Sequence, residues 1–234
     1  MTIIAAKQFW RPWEGEKKWT LFTDDCVTIW QAQVSAARKY RPKLRELVWK
    51  NCRLVIASCW WTREIDVVLN LLQAKLDITK VKDTIGLTYL IQTVLVEARK
   101  EINELSKDPS VWLLILEPET NTLRHSDDYS VFQVNNEVEI VAGSWEQAFF
   151  SLSKYNWFLW ALRKAVESDE YCEFPLYAYR DGEMFTFWHY QDEYEISQIL
   201  AGNTISHEPT PIECANEPYV EPSWLTETLV AKLW

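Results

Sequence analysis

Two pairs of neighbouring carboxylates are the residues in this sequence with the clearest potential for catalysis. Glu117 with Glu119, and Asp127 with Asp128, stand at the ends of predicted strands. Carboxylates at such positions serve as general acids and bases, and they bind divalent cations. One alternative is therefore a metal-dependent hydrolase or nuclease. A strand with Asp followed by a well-placed Glu-x-Lys, which would complete that arrangement, is missing.

A third pair of acids, Asp24 and Asp25, lies between KKWTLFT and CVTIWQAQ. The aromatic and β-branched residues on both sides predict a hairpin with the two acids near its turn. Two adjacent carboxylates are able to bind a divalent cation. Acids at the tip of a loop are usually solvated turn residues, and the sequence favours that interpretation.

Other catalytic signatures are absent from the sequence. The three histidines, His125, His189 and His207, form no HxH or HExxH motif and no matching cysteine spacing, so a conventional zinc site is not predicted. GxSxG, GxxxxGK[ST] and GxGxxG do not occur, and the chain has only 5 glycines with which to build a phosphate-binding loop. We predict no catalytic residue, no metal and no cofactor, which favours a protein that is not an enzyme.

A cluster of cations between residues 34 and 53 is the best candidate for binding nucleic acid. Tyr40 and Trp49 add rings able to stack on bases. One alternative is therefore a nucleic-acid-facing subunit of a ribonucleoprotein complex. The favoured interpretation is a basic face that pairs with the chain's own acidic half. The cations concerned are Arg38, Lys39, Arg41, Lys43, Arg45 and Arg53.

Charge is divided unevenly along the chain, whose net charge is −10. Residues 1–107 hold 18 Lys and Arg against 12 Asp and Glu, whereas residues 108–234 hold 6 against 22. Binding to phosphates depends on cationic side chains that displace the phosphates' counterions, so the acidic half is not expected to bind nucleic acid. It permits one more alternative, an acidic inhibitor that mimics nucleic acid.

Large aromatic residues are abundant, with 14 Trp in 234 residues. Residues 143–167 are apolar on nearly every face of a predicted helix, so this helix should be covered on more than one side. FPLYAYRDGEMFTFWHY predicts a hairpin turning at Asp181-Gly182 with apolar side chains on both faces. Such a ribbon needs something docked on it. The predicted partner-binding residues of this hairpin are Tyr177, Tyr179, Phe185 and Phe187.

The last part of the chain, residues 203–234, predicts an extended arm rich in Pro and Glu that ends in an amphipathic helix. The helix either docks on a partner or packs back on its own domain. Its candidate binding residues are Trp224, Leu225, Leu229, Leu233 and Trp234.

The rest of the sequence predicts the strands and helices that position these residues. A buried strand covers Leu54 to Trp61, one helix starts at Thr62, and another runs from Asp83 to about Ser106. Pro42 interrupts the basic segment, and KLRELVWK after it predicts a short helix. Four strands then follow, VWLLILEPE, TLRHS, YSVFQVN and EVEIVAG, with a tight turn at Asn135-Asn136.

The predicted fold class is α+β, an antiparallel, partly closed sheet with the helix of residues 143–167 packed on it and a helical layer over residues 62–106. We predict one domain over residues 1–202, its sheet and central helix lying within 111–190. The 5 cysteines form no CxxC pair and no apolar run is long enough for a membrane span, so a cytoplasmic location without membrane contact is expected.

The leading functional hypothesis is a non-catalytic subunit or adaptor of a larger intracellular assembly. It rests on the aromatic load, the hairpin and the arm, since Trp and Tyr are favoured anchors of protein interfaces.

Overall fold

A computed structural model describes most of the chain. The described residues are 3–11, 15–24, 26–27, 39–40, 43–49, 52–59, 62–79, 81, 83–103, 111–127, 130–143, 149–150, 158–168, 176–187, 196, 198 and 200. The predicted arm over residues 203–234 lies outside them, so its docking helix stays a prediction.

Within these residues the strands and helices alternate in groups. The first group is β1 (Ile3–Arg11), β2 (Glu16–Thr23), β3 (Cys26–Val27), β4 (Lys39–Tyr40), β5 (Leu44–Trp49) and β6 (Cys52–Cys59). Two helices follow, α1 (Thr62–Ile78) and α2 (Thr84–Asn103). After them come β7 (Trp112–Glu117), β8 (Thr122–Asp127), β9 (Ser130–Gln133), β10 (Glu139–Gly143), α3 (Phe158–Glu167), β11 (Leu176–Arg180) and β12 (Glu183–Phe187).

The long strands form two antiparallel sheets. The first sheet has the order β10-β1-β2-β11-β12 and the second has the order β5-β6-β7-β8-β9. β3 and β4 pair separately with each other. The α+β class is thus confirmed, but the predicted single, partly closed sheet is replaced by two stacked sheets.

Alternation along β1 explains the stacking. Ile3 and Ala5 pack in a cluster with α3, whereas Ile4 and Ala6 pack against residues of the second sheet. Successive side chains of a strand point to opposite faces, so β1 has protein on both sides. The other face of the second sheet packs against α1 and α2 in a third cluster. The molecule is therefore a four-layer sandwich of helices, sheet, sheet and helix.

Several local predictions are confirmed. The predicted buried strand is β6, and the predicted helices are α1 and α2. Asp83 caps α2, since its Oδ1 accepts the Gly86 N–H at 2.7 Å. Ile85 and Tyr89 of this helix are exposed, although they belong to its apolar repeat. For the described part of the chain, no helix is long and apolar enough to cross a membrane.

The segment KLRELVWK was predicted to be a helix and is instead largely β5. Leu44 and Leu47 are buried while Val48 is exposed, and every residue of β5 pairs with β6. The helix propensity of this segment is outweighed by its pairing with β6, because a strand at this position completes the second sheet.

Two predicted hairpins are also wrong. β2 pairs with β1 and β11 and not with β3, so Asp24 does not lie at a hairpin tip. Asn135-Asn136 does not join a hairpin either, because β9 pairs with β8 in the second sheet and β10 pairs with β1 in the first. The chain crosses from one sheet to the other between β9 and β10.

The hairpin of β11 and β12 forms as predicted. Leu176 pairs with Phe187 and Arg180 with Glu183, and the turn residues Asp181 and Gly182 have positive φ of 52° and 91°. These angles match a type I′ turn, which requires positive φ at both central residues.

The helix predicted over residues 143–167 is described over part of its length. α3 covers Phe158–Glu167 and buries Phe158, Ala161, Leu162, Ala165 and Val166. Phe149 is also buried in the same cluster. The intervening residues 151–157 lie outside the described part.

Replacing Gly182 tests the turn. We expect Gly182→Ala to lower the free energy of unfolding by about 1–3 kcal/mol, because an L residue at this φ is strained. Gly182→Asn should lose less, since Asn tolerates the left-handed region better. Urea unfolding of both variants measures the difference, and equal stability of Gly182→Ala and the parent chain would contradict the assigned turn.

Candidate functional site

A buried ion pair joins the end of β2 to the start of β5. Lys43 Nζ donates a hydrogen bond of 2.6 Å to Asp24 Oδ2. The exposed fraction of the side chain is 0% for Asp24 and 6% for Lys43. A charged pair so far from water is costly to bury, and it persists only where geometry and further hydrogen bonds compensate.

The second oxygen of Asp24 meets the beginning of β1. Asp24 Oδ1 accepts the backbone N–H of Ile3 at 3.3 Å. On the other side of the pair, the Lys43 carbonyl accepts the Ser58 N–H at 3.0 Å and lies 3.4 Å from the donating Ser58 hydroxyl. The pair thus links the ends of strands from both sheets at one place.

The residue before Ile3 in the sequence is Thr2, which lies outside the described residues. Thr2 is joined by a peptide bond to the Ile3 nitrogen whose N–H Asp24 accepts. A hydroxyl and an amine on one residue are parts from which nucleophilic catalysis is built.

Burial sets the proton affinity of the groups around the pair. It raises the pKa of the Asp24 carboxyl, while the charge of Lys43 opposes the rise. It also raises the pKa of the Cys59 thiol to about 12. A thiol reacts as its thiolate, so Cys59 stays protonated and inert at neutral pH and is not the nucleophile.

The predicted nucleic-acid-binding cations do not form one exposed face. Lys43 and Arg45 are buried. Arg53 forms ion pairs with Glu46 at 3.5 Å and with Glu119 at 3.4 Å. Lys39 lies in β4, and Arg38 and Arg41 lie outside the described residues. Nucleic-acid binding therefore gains no support, because Lys43, Arg45 and Arg53, the cations here whose side chains are described, are buried or paired with the chain's own acids.

The strand-end carboxylates do not converge on a metal site. Glu117 pairs with buried Arg124 at 3.0 Å, and Glu119 pairs with Arg53. Asp127 is exposed at the end of β8, and Asp128 is outside the described part. No group of three His, Cys, Asp or Glu among the described residues is placed to hold a metal ion.

The four hairpin aromatics differ in exposure. Tyr179 and Phe187 are buried in the chain's own core, whereas Tyr177 and Phe185 are partly buried at the edges of core clusters. The first two rings therefore present no surface to a partner. Contact of the other two with a partner stays a prediction.

Sequence reasoning missed Asp24 and Lys43 because each was assigned to the wrong element. Asp24 was read as a solvated turn acid and Lys43 as one cation of a basic face. Two runs could have indicated that Asp24 and Lys43 are buried, namely TLFT directly before Asp24 and the β-rich run after Lys43. Charged residues next to buried strands are shielded from water and need a partner of opposite charge.

Comparison with solved structures places the fold beside one set of proteins. Anbu (ancestral beta-subunit) from Yersinia bercovieri matches with a TM-score of 0.59 and 11% identity, covering 99% of this chain and 96% of that one. An Anbu (Gly-1) mutant from Hyphomicrobium sp. strain MC1 matches with a TM-score of 0.60 and 12% identity, covering 91% and 100%. The Anbu complex from Pseudomonas aeruginosa, solved as a helical assembly, matches at 0.57 and 16%, covering 90% and 98%.

These likenesses concern the fold over nearly the whole chain. At identities of 11–16% the likeness shows the fold alone. No protein-family model matches the sequence, and no curated protein matches it either.

The Anbu-like fold overturns the functional hypothesis drawn from sequence. A non-catalytic adaptor was inferred from the aromatic load, the hairpin, the arm and the absence of catalytic motifs, none of which reveals this fold. The same finding overturns the three alternatives, the nucleic-acid-facing subunit, the metal-dependent nuclease and the acidic mimic of nucleic acid.

Removing Lys43 tests the energetics of the pair. We expect Lys43→Met to lower the free energy of unfolding by about 3–5 kcal/mol, because Asp24 is left buried and uncompensated. The double variant Asp24→Asn with Lys43→Met should regain most of that loss. Chemical denaturation measures all three.

Lys75 offers a matched control, because it pairs with Glu97 at 3.0 Å on a more exposed surface. Lys75→Met should cost less than about 1 kcal/mol. Equal losses in Lys43→Met and Lys75→Met would contradict a buried, structurally essential pair.

Alkaline titration tests the environment of Cys59. The ordinary thiol pKa of 9.0 applies to the unfolded chain, whereas the folded pKa is about 12. The folded state therefore holds its proton longer, and stability present below pH 9 is lost as the pH rises toward 12. Between pH 8 and 10 the parent chain should lose about 1 kcal/mol more than Cys59→Ala. Identical losses in urea unfolding at the two pH values would show that the thiol is not buried.

Proposed function

We propose that this chain is an amide-bond hydrolase of the N-terminal nucleophile type, with Thr2 as its nucleophile, and that it acts on peptides as a subunit of an oligomeric assembly. The observation that carries the proposal is the buried Asp24–Lys43 pair hydrogen-bonded to the Ile3 amide, next to Thr2.

The similar structures support the same reaction class. Anbu proteins have the N-terminal nucleophile peptidase fold. One of them was solved as an assembled complex, which supports protein partners for this chain as well. The fold alone does not carry an activity, so the proposal depends also on the Asp24–Lys43 pair at the Ile3 amide.

The reaction needs one residue to act both as nucleophile and as base. Thr2 Oγ attacks the carbonyl carbon of the substrate amide, and the α-amine of Thr2 takes the hydroxyl proton. The tetrahedral intermediate collapses, the C–N bond breaks, and the leaving amine takes the proton. A water molecule then attacks the Thr2 ester, which releases the carboxylic acid and returns the proton to Oγ.

Lys43 supplies the reaction with a fixed positive charge. That charge stabilises the negative oxygen that develops during attack. Asp24 holds the ammonium in place and fixes the Ile3 amide, so both residues act as positioning and electrostatic groups.

Such a mechanism requires a free amine on Thr2. The nitrogen of a Met1–Thr2 peptide bond is an amide and cannot serve as a base. The active form is therefore the product of cleavage between Met1 and Thr2, and mass spectrometry of the active protein should find Thr2 as its first residue.

Substitution of Thr2 tests the proposal. With a fluorogenic peptide amide as substrate, we expect Thr2→Ala to lower kcat by at least about 10³-fold, because the nucleophile is lost. Thr2→Ser should keep measurable activity, since its hydroxyl is retained. Thr120→Ala, which removes an exposed hydroxyl elsewhere, is the matched control and should leave kcat unchanged.

The Lys43 role has its own signature. In the double variant Asp24→Asn with Lys43→Met, kcat should fall by about 10²-fold or more, because the charge that stabilises the developing negative oxygen is lost. Hydrolysis that survives in Thr2→Ala, or an unchanged kcat in the double variant, would contradict the assignment.

A further inference from the structure

A groove lies on the outer side of the second sheet, between α2 and the edge strand β9. Its volume is about 300 Å³, and it is lined by Ile85, Thr88, Tyr89, Gln92, Val131 and Gln133. Ile85 is 67% exposed and Tyr89 is 71% exposed. Both are large apolar or aromatic side chains left in water on a helix whose other face is buried. Exposed apolar surface grouped in this way marks a binding site.

The exposed side of α2 continues beyond the groove as a stripe. Ile85, Tyr89, Gln92 and Val96 follow one another at helical spacing, and Val96 is also exposed. From Ile85 to Val96 the stripe runs along about 16 Å of the helix axis, at about 1.5 Å per residue. A stripe of this length accommodates two to three turns of another helix.

β9 forms the other wall of the groove. In the described sheet it is an edge strand, with β8 on one side only. The Val131 N–H donates to Gln92 Oε1 at 2.9 Å, so the strand is fastened to α2. Phe132 is half exposed and its ring lies 5.3 Å from that of His125. Uncovered edges with apolar side chains are usually protected by another segment.

We propose that the C-terminal segment of this chain, residues 224–234, docks as a helix in this groove. Leu225, Leu229 and Leu233 recur every four residues and form one ridge about 12 Å long. Ile85 and Tyr89 form an equivalent four-residue ridge on α2. Two ridges of this spacing interdigitate in the commonest mode of helix packing. Trp224 and Trp234 flank the leucine ridge and cover the ends of the groove.

The chain is long enough to make this contact. Leu200 is buried in the cluster around α3, on the far side of the sandwich from α2. Residues 201–223 separate it from the docking segment, and 23 extended residues reach up to about 75 Å at about 3.3 Å each. The layers to be crossed lie about 10 Å apart, so the groove of the same copy and that of a neighbouring copy are both within reach.

Charge favours the same contact. The arm before the docking segment carries Glu213, Glu217 and Glu221. Lys100 is exposed on α2, one turn beyond Val96. An acidic arm that approaches from this end places opposite charges together, which aligns the docking helix along α2.

Hydrogen–deuterium exchange on the full chain tests the docking. We expect the amides of residues 224–234 to be protected in the parent chain. The double variant Ile85→Ser with Tyr89→Ser should raise their exchange rate by about tenfold or more, because the helix is released from the groove. The reciprocal variant Leu225→Ser with Leu229→Ser should increase the exchange of α2 and β9 amides around the groove.

Val48→Ser is the matched control. Val48 is exposed on β5, at the opposite edge of the same sheet, so its replacement should leave exchange of residues 224–234 unchanged. Protection that depends on protein concentration identifies docking between copies, and protection independent of concentration identifies docking within one copy. Either result supports the proposal. Unprotected amides at 224–234 in the parent chain, or protection retained in the Ile85/Tyr89 variant, would overturn it.

Discussion

The ion pair between Asp24 and Lys43 is the interaction on which the architecture of the site depends. Moving two charges out of water costs several kcal/mol per ion, and one charge without the other costs more. The pair is therefore tolerated only if the strands that carry it stay in register. Because Asp24 ends β2, Lys43 precedes β5 and the Ile3 amide starts β1, one contact fixes three strand ends from two sheets.

The stacking of two sheets also explains where many of the large rings go. Trp19 and Tyr179 fill the space between the sheets, and Phe22, Phe158 and Phe187 pack under α3. These rings supply apolar area to a core that has a helix layer on each outer side. Part of the aromatic content that suggested a partner-binding adaptor is thus buried in the chain's own core.

Sequence patterns predicted correctly those elements whose structure depends on residues close together in the chain. The hairpin of β11 and β12 was predicted because Asp181-Gly182 encodes its turn, and α2 was predicted because Asp83 caps an apolar repeat. Elements decided by distant partners were missed. β5 has helix-forming residues and becomes a strand through its pairing with β6. Asn135-Asn136 lies where the chain passes from one sheet to the other, because β9 and β10 belong to different sheets.

The candidate site was missed for the same physical reason. Asp24 and Lys43 are 19 residues apart, and Ile3 is 21 residues from Asp24. Neither separation forms a motif, since strand pairing rather than spacing along the chain brings them together. The chemistry was also sought in clusters of histidine, cysteine or glycine, whereas the proposed nucleophile is a single threonine beside the first strand.

The most direct test is to locate the residue that a substrate-like compound acylates. The protein is reacted with a peptide β-lactone, and peptide mapping by mass spectrometry locates the ester that forms. The proposed chemistry predicts the label on Thr2 in the parent chain and much less of it in the double variant Asp24→Asn with Lys43→Met. A label on another residue, or equal labelling of Thr2 in both proteins, would contradict it.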